Sequence, residues 1–247
     1  MDLRFQWRAL SYRWLRNRAE ISALRRHVRA GNHVVDIGCH KGGFLYWLRR
    51  YAGEAGRVYA FEPQRGLAEY LRGVIADRGW NNVTLEPVAV SSARGCMDLL
   101  VPAAEGHSSP GASLSPASVT GSHHRQSVSV VTLDDYFSSG KRIACIKCDC
   151  EGHELEVFQG AERILRRDQP VLLFECEARH MSGRQPEDVF KHLQSLGYDG
   201  FFFSPAGLQP IGAFRIAVHQ AVRDGRFWQA PDYCNNFLFL PGELNQR

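Results

Sequence analysis

The stretch that decides the fold is "VVDIGCHKGGFLYWL", Val34 to Leu48. A short β-branched run ends in an acid, a glycine-bearing turn follows, and apolar residues then recur at helical spacing, so the segment reads as strand, turn and helix. In an open α/β sheet that first turn lies beyond the carboxyl end of the strands, where ligands bind. A dinucleotide site would want G-x-G-x-x-G, whose second glycine lets the backbone reach a pyrophosphate. Here that position is His40. The turn offers instead an acid at Asp36, a bend at Gly38, close approach at Gly42, and helix-start amides suited to a carboxylate. Glu62, in "VYAFEP", ends the next strand 20 residues after Gly42, where a carboxylate can accept from both hydroxyls of a ribose.

Outward from this turn, β-branched runs alternate with helical stripes, which predicts a mainly parallel sheet with helices on both faces. Strands are expected at His33–Ile37, Arg57–Phe61, Val83–Glu86, Ile143–Asp149 and Val171–Cys176, and helices at Phe44–Tyr51, Gly66–Arg78, Glu154–Arg166 and Pro186–Leu196. Gly200–Phe203 and Phe237–Leu240 read as a closing pair of strands. The insertion before the last strand, residues 205–233, carries Phe214, Phe227, Trp228 and Tyr233, which could wall a pocket or pack on the sheet edge. Residues 103–127, rich in Ser, Pro and Gly, are expected to form a flexible flap beside the site. Their flanks, Gly95–Val101 and Ser127–Leu133, alternate as an antiparallel ribbon would.

A chain of 247 residues, 44% hydrophobic, can bury one full core, and 31–247 reads as one domain. No apolar run of 18 residues and no signal-peptide pattern stands out, so a cytoplasmic protein is expected, its seven cysteines reduced. Charge is uneven: residues 1–30 hold eight arginines against Asp2 and Glu20, a net of +6 out of +4 for the whole chain, leaving the remainder at −2. Trp7, Leu10, Trp14, Ile21, Leu24 and Val28 recur there as one apolar face of a helix. This basic amphipathic extension reads as a helix packed on the domain, or as an arm for an anionic surface. Nothing resembling a zinc finger, RNA-recognition signature or basic zipper accompanies it, so nucleic acid is not expected.

The acid-ended first strand, the D-x-G-x-x-x-G turn and the E-P after the second strand resemble the S-adenosylmethionine (SAM) methyltransferases. "NNVTLEPVAVSS" (81–92), "VTLDDYF" (131–137), "IKCDCEGHELEVFQGAERIL" (146–165) and "PVLLFECE" (170–177) narrow the resemblance to the FkbM family of SAM-dependent O-methyltransferases, with the D-x-E-G-x-E block from Asp149 the most distinctive part. The resemblance implies a Rossmann-like domain with a mainly parallel seven-stranded sheet whose last strand is antiparallel. It implies SAM as cofactor, with Asp36, Gly38, His40 and Gly42 around the methionine end, Glu62 on the ribose, and Val88 and Ala89 against adenine. The acceptor would be a hydroxyl on a small molecule or sugar. His40 and Cys150 depart from the family, which commonly has asparagine and an aliphatic residue there.

Methyl transfer to a hydroxyl needs alignment and a route for the proton. Asp149, Glu151 and His153 leave the strand end where the methyl should point, with Asp149 as the positioning group and Glu151 or His153 as base. The carboxylates could instead only cap the next helix, and His153 could be a surface residue. Glu175 and Glu177 could join Asp149 around a divalent cation, but nothing fixes a ligand set and no metal site is assigned. Cys145, Cys148 and Cys150 read as packing, because Cys145 and Cys148 face opposite sides of a strand. His123 and His124 have no matching ligand set. Two other readings compete: a non-catalytic SAM-fold protein acting through the basic arm, and a nicotinamide-dependent oxidoreductase, against which His40 argues.

Overall fold

The structure, a computed structural model, describes residues 3–103, 111–115, 122–181 and 183–242. Strands β1 (His33–Ile37), β2 (Arg57–Phe61) and β3 (Val83–Glu86) fall where the β-branched runs predict them. After β3 the chain makes β4 (Ala89–Val90), β5 (Gly95–Pro102), β6 (His123–Val131), β7 (Ile143–Cys148) and β8 (Val171–Glu175). It ends with β9 (Tyr198–Ser204), β10 (Gly207–Pro210) and β11 (Asn236–Pro241).

The main sheet runs β10-β9-β11-β8-β7-β1-β2-β3, with β1 parallel to both β2 and β7, and β11 antiparallel to its two neighbours. It has eight strands, not the expected seven. The extra one, β10, comes from inside the 205–233 insertion, where a tight turn at Ser204–Gly207 folds the chain back antiparallel on β9. Phe214 of the same insertion is buried against Phe190, Phe202 and Phe237, so it packs on the sheet.

Each face of the sheet has its own core. On one side Val35, Ile37, Ile146 and Cys148 meet helices α5 (Leu133–Tyr136), α6 (Glu154–Gln159), α7 (Glu162–Asp168) and α8 (Pro186–Ser195). The other side joins Val34, Val58 and Cys145 to α1 (Leu3–Ser11), α2 (Arg18–His27), α3 (Gly43–Ala52) and α4 (Arg65–Asp77). Cys145 and Cys148 thus fall on opposite faces, as strand alternation requires.

One long helix was expected over Glu154–Arg166, and two are found. Gly160 interrupts it: a Cβ there would overlap the Ser91 carbonyl oxygen, and the Gly160 carbonyl accepts from the Asp134 amide at 3.0 Å. The Asp134 carboxylate then accepts from the amides of Arg163 and Ile164, so it caps α7 as a separate start.

The N-terminal stripe also divides. A π-helical turn at Tyr12–Arg16 separates α1 from α2 and shifts the helical phase. Ile21, Leu24 and Val28 are buried as expected, whereas Trp7, Leu10 and Trp14 point outward and the arm's first half is anchored by Phe5 and Ala9.

The ribbon forms a second sheet, β4-β6-β5, and reaches further than expected, pairing Pro102 with His123. His123–Ser127, assigned to the flap, are therefore strand. At the other end Thr132 stops β6 short of Leu133, its hydroxyl accepting from the Asp135 amide to cap α5. Of the expected flap, residues 104–110 and 116–121 lie outside the described residues.

Candidate active site

The first turn is held by backbone approaches that only glycine permits. Gly38 has φ +67°, and a Cβ there would overlap the Asp149 carbonyl oxygen. Gly42, at φ +77°, has its close approach to Phe5 and Leu71, whose carbons would lie 2.8 and 2.9 Å from an added Cβ. Gly42 thus accommodates α1 and α4 and is absent from the cavity wall described below, contrary to its expected place beside a ligand.

Asp36 also lies elsewhere than expected. It is wholly buried under the turn, 3.6 Å from the Lys147 ammonium, and does not line the cavity. Burial pushes its carboxyl up to about 6, with Lys147 opposing the shift. Lys147 gives its charge to Asp36 and to Asp149, 3.5 Å away, and donates to the Gly38 carbonyl at 3.1 Å. Burial alone would lower its pKa, but Asp149 and Asp36 more than offset that and hold it raised.

Above this pair opens a cavity of about 330 Å³. Gly38 and His40 of the first turn, Glu62 after β2, Val88 and the β4 residue Ala89 line it. Asp149, Glu151 and His153 line it as well. The backbone amides of His40 and Gln64 donate to the two oxygens of Glu62, at 2.8 and 2.9 Å. Burial pushes this carboxyl up to about 7, against the pull of those two hydrogen bonds. His40, with φ +47°, has a ring Nε2 that is buried without a hydrogen-bond partner among the described residues. Burial and then Lys41 push its pKa down to about 4, so the ring is neutral near pH 7.

The D-x-E-G-x-E block folds as a tight loop between β7 and α6. Glu154 is buried and accepts from the amides of Cys150 and Gly152, both at 3.1 Å. Its carboxyl is pushed up to about 7 by burial, and the amides oppose the shift. Glu151 is left-handed, at φ +54°, and its carboxylate meets His180 Nδ1 at 2.8 Å. Gly152 has φ +94°, and a Cβ there would overlap the His180 carbonyl oxygen. Burial would lower the His180 pKa, but Glu151 overrides it and holds it raised. His153 is buried, not a surface residue: its Nε2 is hydrogen-bonded to Ser91 Oγ at 2.8 Å and burial lowers its pKa.

Gly111–Ser115, the described part of the expected flap, closes one wall. Ser113 pairs with Leu100, its hydroxyl donates to the Glu151 carbonyl at 2.6 Å, and the Ser115 hydroxyl donates to the His180 carbonyl at 3.2 Å. Ala112 and Leu114 face the cavity from this segment.

Burial and then the nearby Asp149 and Glu151 charges raise the Glu175 carboxyl, and neither Glu175 nor Glu177 lines the cavity. Glu177 accepts from Arg179, Tyr233 and Asn235, and Glu175 accepts from Asn235 at 2.9 Å. No group of three His, Cys, Asp or Glu among the described residues is placed to hold a metal ion. The insertion aromatics Phe227, Trp228 and Tyr233 form their own cluster outside the cavity wall, with Trp228 under Arg179. The Cys148 and Cys150 sulfurs lie 3.6 Å apart, one strand repeat from each other.

Comparison with known proteins follows the same outline. Residues 36–199 match the family described as the methyltransferase FkbM domain, about two thirds of the chain. The chain belongs to the FkbM methyltransferase family. Its cofactor is accordingly SAM. Among solved structures it is similar to an FkbM methyltransferase from Methylobacillus flagellatus KT, with a TM-score of 0.53 and 17% identity. That match covers 95% of this chain and 53% of the other, so the chain spans about half the length of that relative. An rRNA methylase from Streptococcus thermophilus has a TM-score of 0.51 and 13% identity, covering 90% of this chain and 93% of the other. These likenesses establish the fold. No curated protein matches.

The cavity suits the cofactor on its own chemistry. His40 Nε2 has no hydrogen-bond partner among the described residues, Glu62 keeps unused lone pairs beside its two amides, and Val88, Ala89 and Leu99 supply an apolar slot. Two contributors had no motif to announce them. Tyr12 reaches the cavity from the N-terminal arm by stacking edge-on to Phe44 at 5.5 Å, and His180 arrives from the loop after β8. Lys147 carried a faint signal, a lysine inside an apolar strand ending in an acid.

Proposed function

We propose that this protein is an O-methyltransferase that moves the SAM methyl to a hydroxyl of a small-molecule or sugar-containing acceptor. The observation that carries the reading is one cavity lined both by the Gly38–His40 turn and Glu62 and by Asp149 and Glu151 of the D-x-E-G-x-E loop. His40 and Gly38 would hold the amino acid end, Glu62 the ribose, and Val88 and Ala89 the adenine. Asp36 would act from beneath, through Lys147, and Gly42 through the packing of α1.

When bound, the cofactor supplies a methyl on a sulfonium, a leaving group that needs no acid. The chain's task is then alignment and proton removal. Asp149, fixed by Lys147, orients the acceptor at the rim. Glu151 accepts the hydroxyl proton as the oxygen–carbon bond forms and the carbon–sulfur bond breaks. His180 holds the Glu151 carboxylate in place. His153 is less suited to be the base because Ser91 engages its Nε2. Residues 31–247 would be the catalytic domain, 103–122 its flap, and the cytoplasm its location; among the described residues no helix is long and apolar enough to cross a membrane.

The test is release of S-adenosylhomocysteine with a panel of hydroxyl and amine acceptors. Turnover with hydroxyl acceptors that disappears in Glu151→Gln while SAM affinity holds supports the reading. Turnover only with amines would replace oxygen by nitrogen as the target. SAM binding without turnover on any acceptor would favour the non-catalytic alternative.

A further inference from the structure

The arm's outward face has no role in the site. Leu3, Trp7 and Leu10 lie one turn apart on α1 and are 70, 69 and 42% exposed, and Trp14 and Leu15, in the π turn that follows, are 60 and 73% exposed. The opposite face of the helix is spent on the protein: Phe5 and Ala9 are buried, and Ala9 accepts from the Trp47 indole at 2.7 Å. Burying Trp7 or Trp14 is therefore not what holds the arm down.

Large exposed apolar patches on a folded chain mark interaction surfaces. Charge narrows the partner. Between Leu3 and Ala19 the sequence holds five arginines, Arg4, Arg8, Arg13, Arg16 and Arg18, and no acid, and Glu20 is buried. Arg4 and Arg18 are exposed at the two ends of the patch. A second copy of this chain docked face to face would bring these cations together, which costs energy. An anionic lipid surface meets both requirements: tryptophans and leucines settle at the boundary between headgroups and acyl chains, and the flanking cations pair with lipid phosphates.

We infer that α1 and the turn after it dock this protein on anionic membrane surfaces, with Trp7, Trp14 and Leu15 inserted and the exposed Arg4 and Arg18 on the headgroups, while Arg8 and Arg13 stay bonded to Lys41, Tyr70 and Tyr51 of the domain. The arm lies in the interface plane and does not span it; α1, at nine residues, is far too short. Tyr12 of the same segment lines the cavity.

The test uses the full chain and flotation with vesicles of equal parts phosphatidylglycerol and phosphatidylcholine, beside pure phosphatidylcholine. Binding to the anionic vesicles is expected, weakened by salt, with a blue shift of tryptophan emission. The double variant Trp7→Ser/Trp14→Ser should lose about tenfold or more in partitioning while keeping its circular dichroism and SAM affinity. If that variant were unstable, quenching of the unaltered protein by brominated acyl chains would report insertion directly. No partitioning, equal partitioning into neutral vesicles, or partitioning indifferent to the variant would overturn the proposal. So would a dimer dispersed by Trp7→Ser/Trp14→Ser, or tighter binding to single-stranded RNA than to the vesicles.

Discussion

Glu62 and Glu154 do a similar local job. Each is a buried carboxylate that accepts from two backbone amides, Glu62 from His40 and Gln64 in two different turns and Glu154 from Cys150 and Gly152 in one, and burial pushes each up to about 7. They differ in what they face. Glu62 lines the cavity itself, whereas Glu154 does not, and only shapes the loop that carries Asp149 and Glu151. A carboxylate at a strand end therefore has two separable duties, holding the backbone and meeting a ligand, and only one of these acids combines them.

The largest effect should come from the glycines both turns depend on. Gly38→Ala and Gly152→Ala each force a Cβ onto a backbone carbonyl at a left-handed φ, and each is expected to destabilise by about 3 kcal/mol or more in chemical denaturation. Equal losses would show that the two turns are equally rigid. Next come chemistry and binding. Glu151→Gln should lower kcat by about 10² to 10⁴ without moving the SAM dissociation constant, measured by calorimetry and product release.

The two acids themselves give the sharpest contrast. Glu62→Ala and Glu154→Ala should each cost about 1–3 kcal/mol of stability through orphaned amides. Only Glu62→Ala should also weaken SAM binding, by about tenfold to a hundredfold, since it alone loses a charge-assisted ligand contact. If Glu154→Ala weakens SAM binding as much, the distinction fails.

The smallest effect is one of pH. A carboxyl whose folded pKa is raised favours the fold when protonated, so its contribution is complete below the unfolded value near 4.5 and is lost as pH rises through about 7. His40, lowered to about 4, acts in the opposite sense, so the difference between proteins is the observable. Between pH 4.5 and 7 the stability of the unaltered protein should fall relative to that of Glu62→Gln, by thermal unfolding at fixed salt. A constant gap across that range would mean that Glu62 ionises in the fold as freely as in the unfolded chain.

Much of this was legible in the sequence, and for identifiable reasons. Short β-branched runs located β1, β2 and β3 to the residue; β1 and β2, buried on both faces, admit few alternatives, while β3 is half-buried. Glu62 and Asp149 were expected together because strand ends in this architecture meet at one crevice, and both line the cavity. For Gly42 and Asp36, which do not line it, spacing shows that a glycine or acid is required and does not show what approaches it. In both cases the partner was another part of the protein, Phe5 for one and Lys147 for the other. The split of the N-terminal stripe was hidden for a related reason: one π turn changes the phase of everything before it, and nothing in the composition of "SYRWLRN" marks such a turn.

The contact of Phe5 with Gly42 and Leu71 bears on how this protein should be cut. The family match starts at residue 36, so an alignment-guided truncation would discard the arm as an appendage. That excision would strip Phe5, Ile21 and Leu24 from one of the two cores and take Tyr12 off the cavity wall. A shortened protein that aggregates or fails to hold its cofactor would then reflect a missing wall, and inactivity measured on it would say nothing about the intact enzyme.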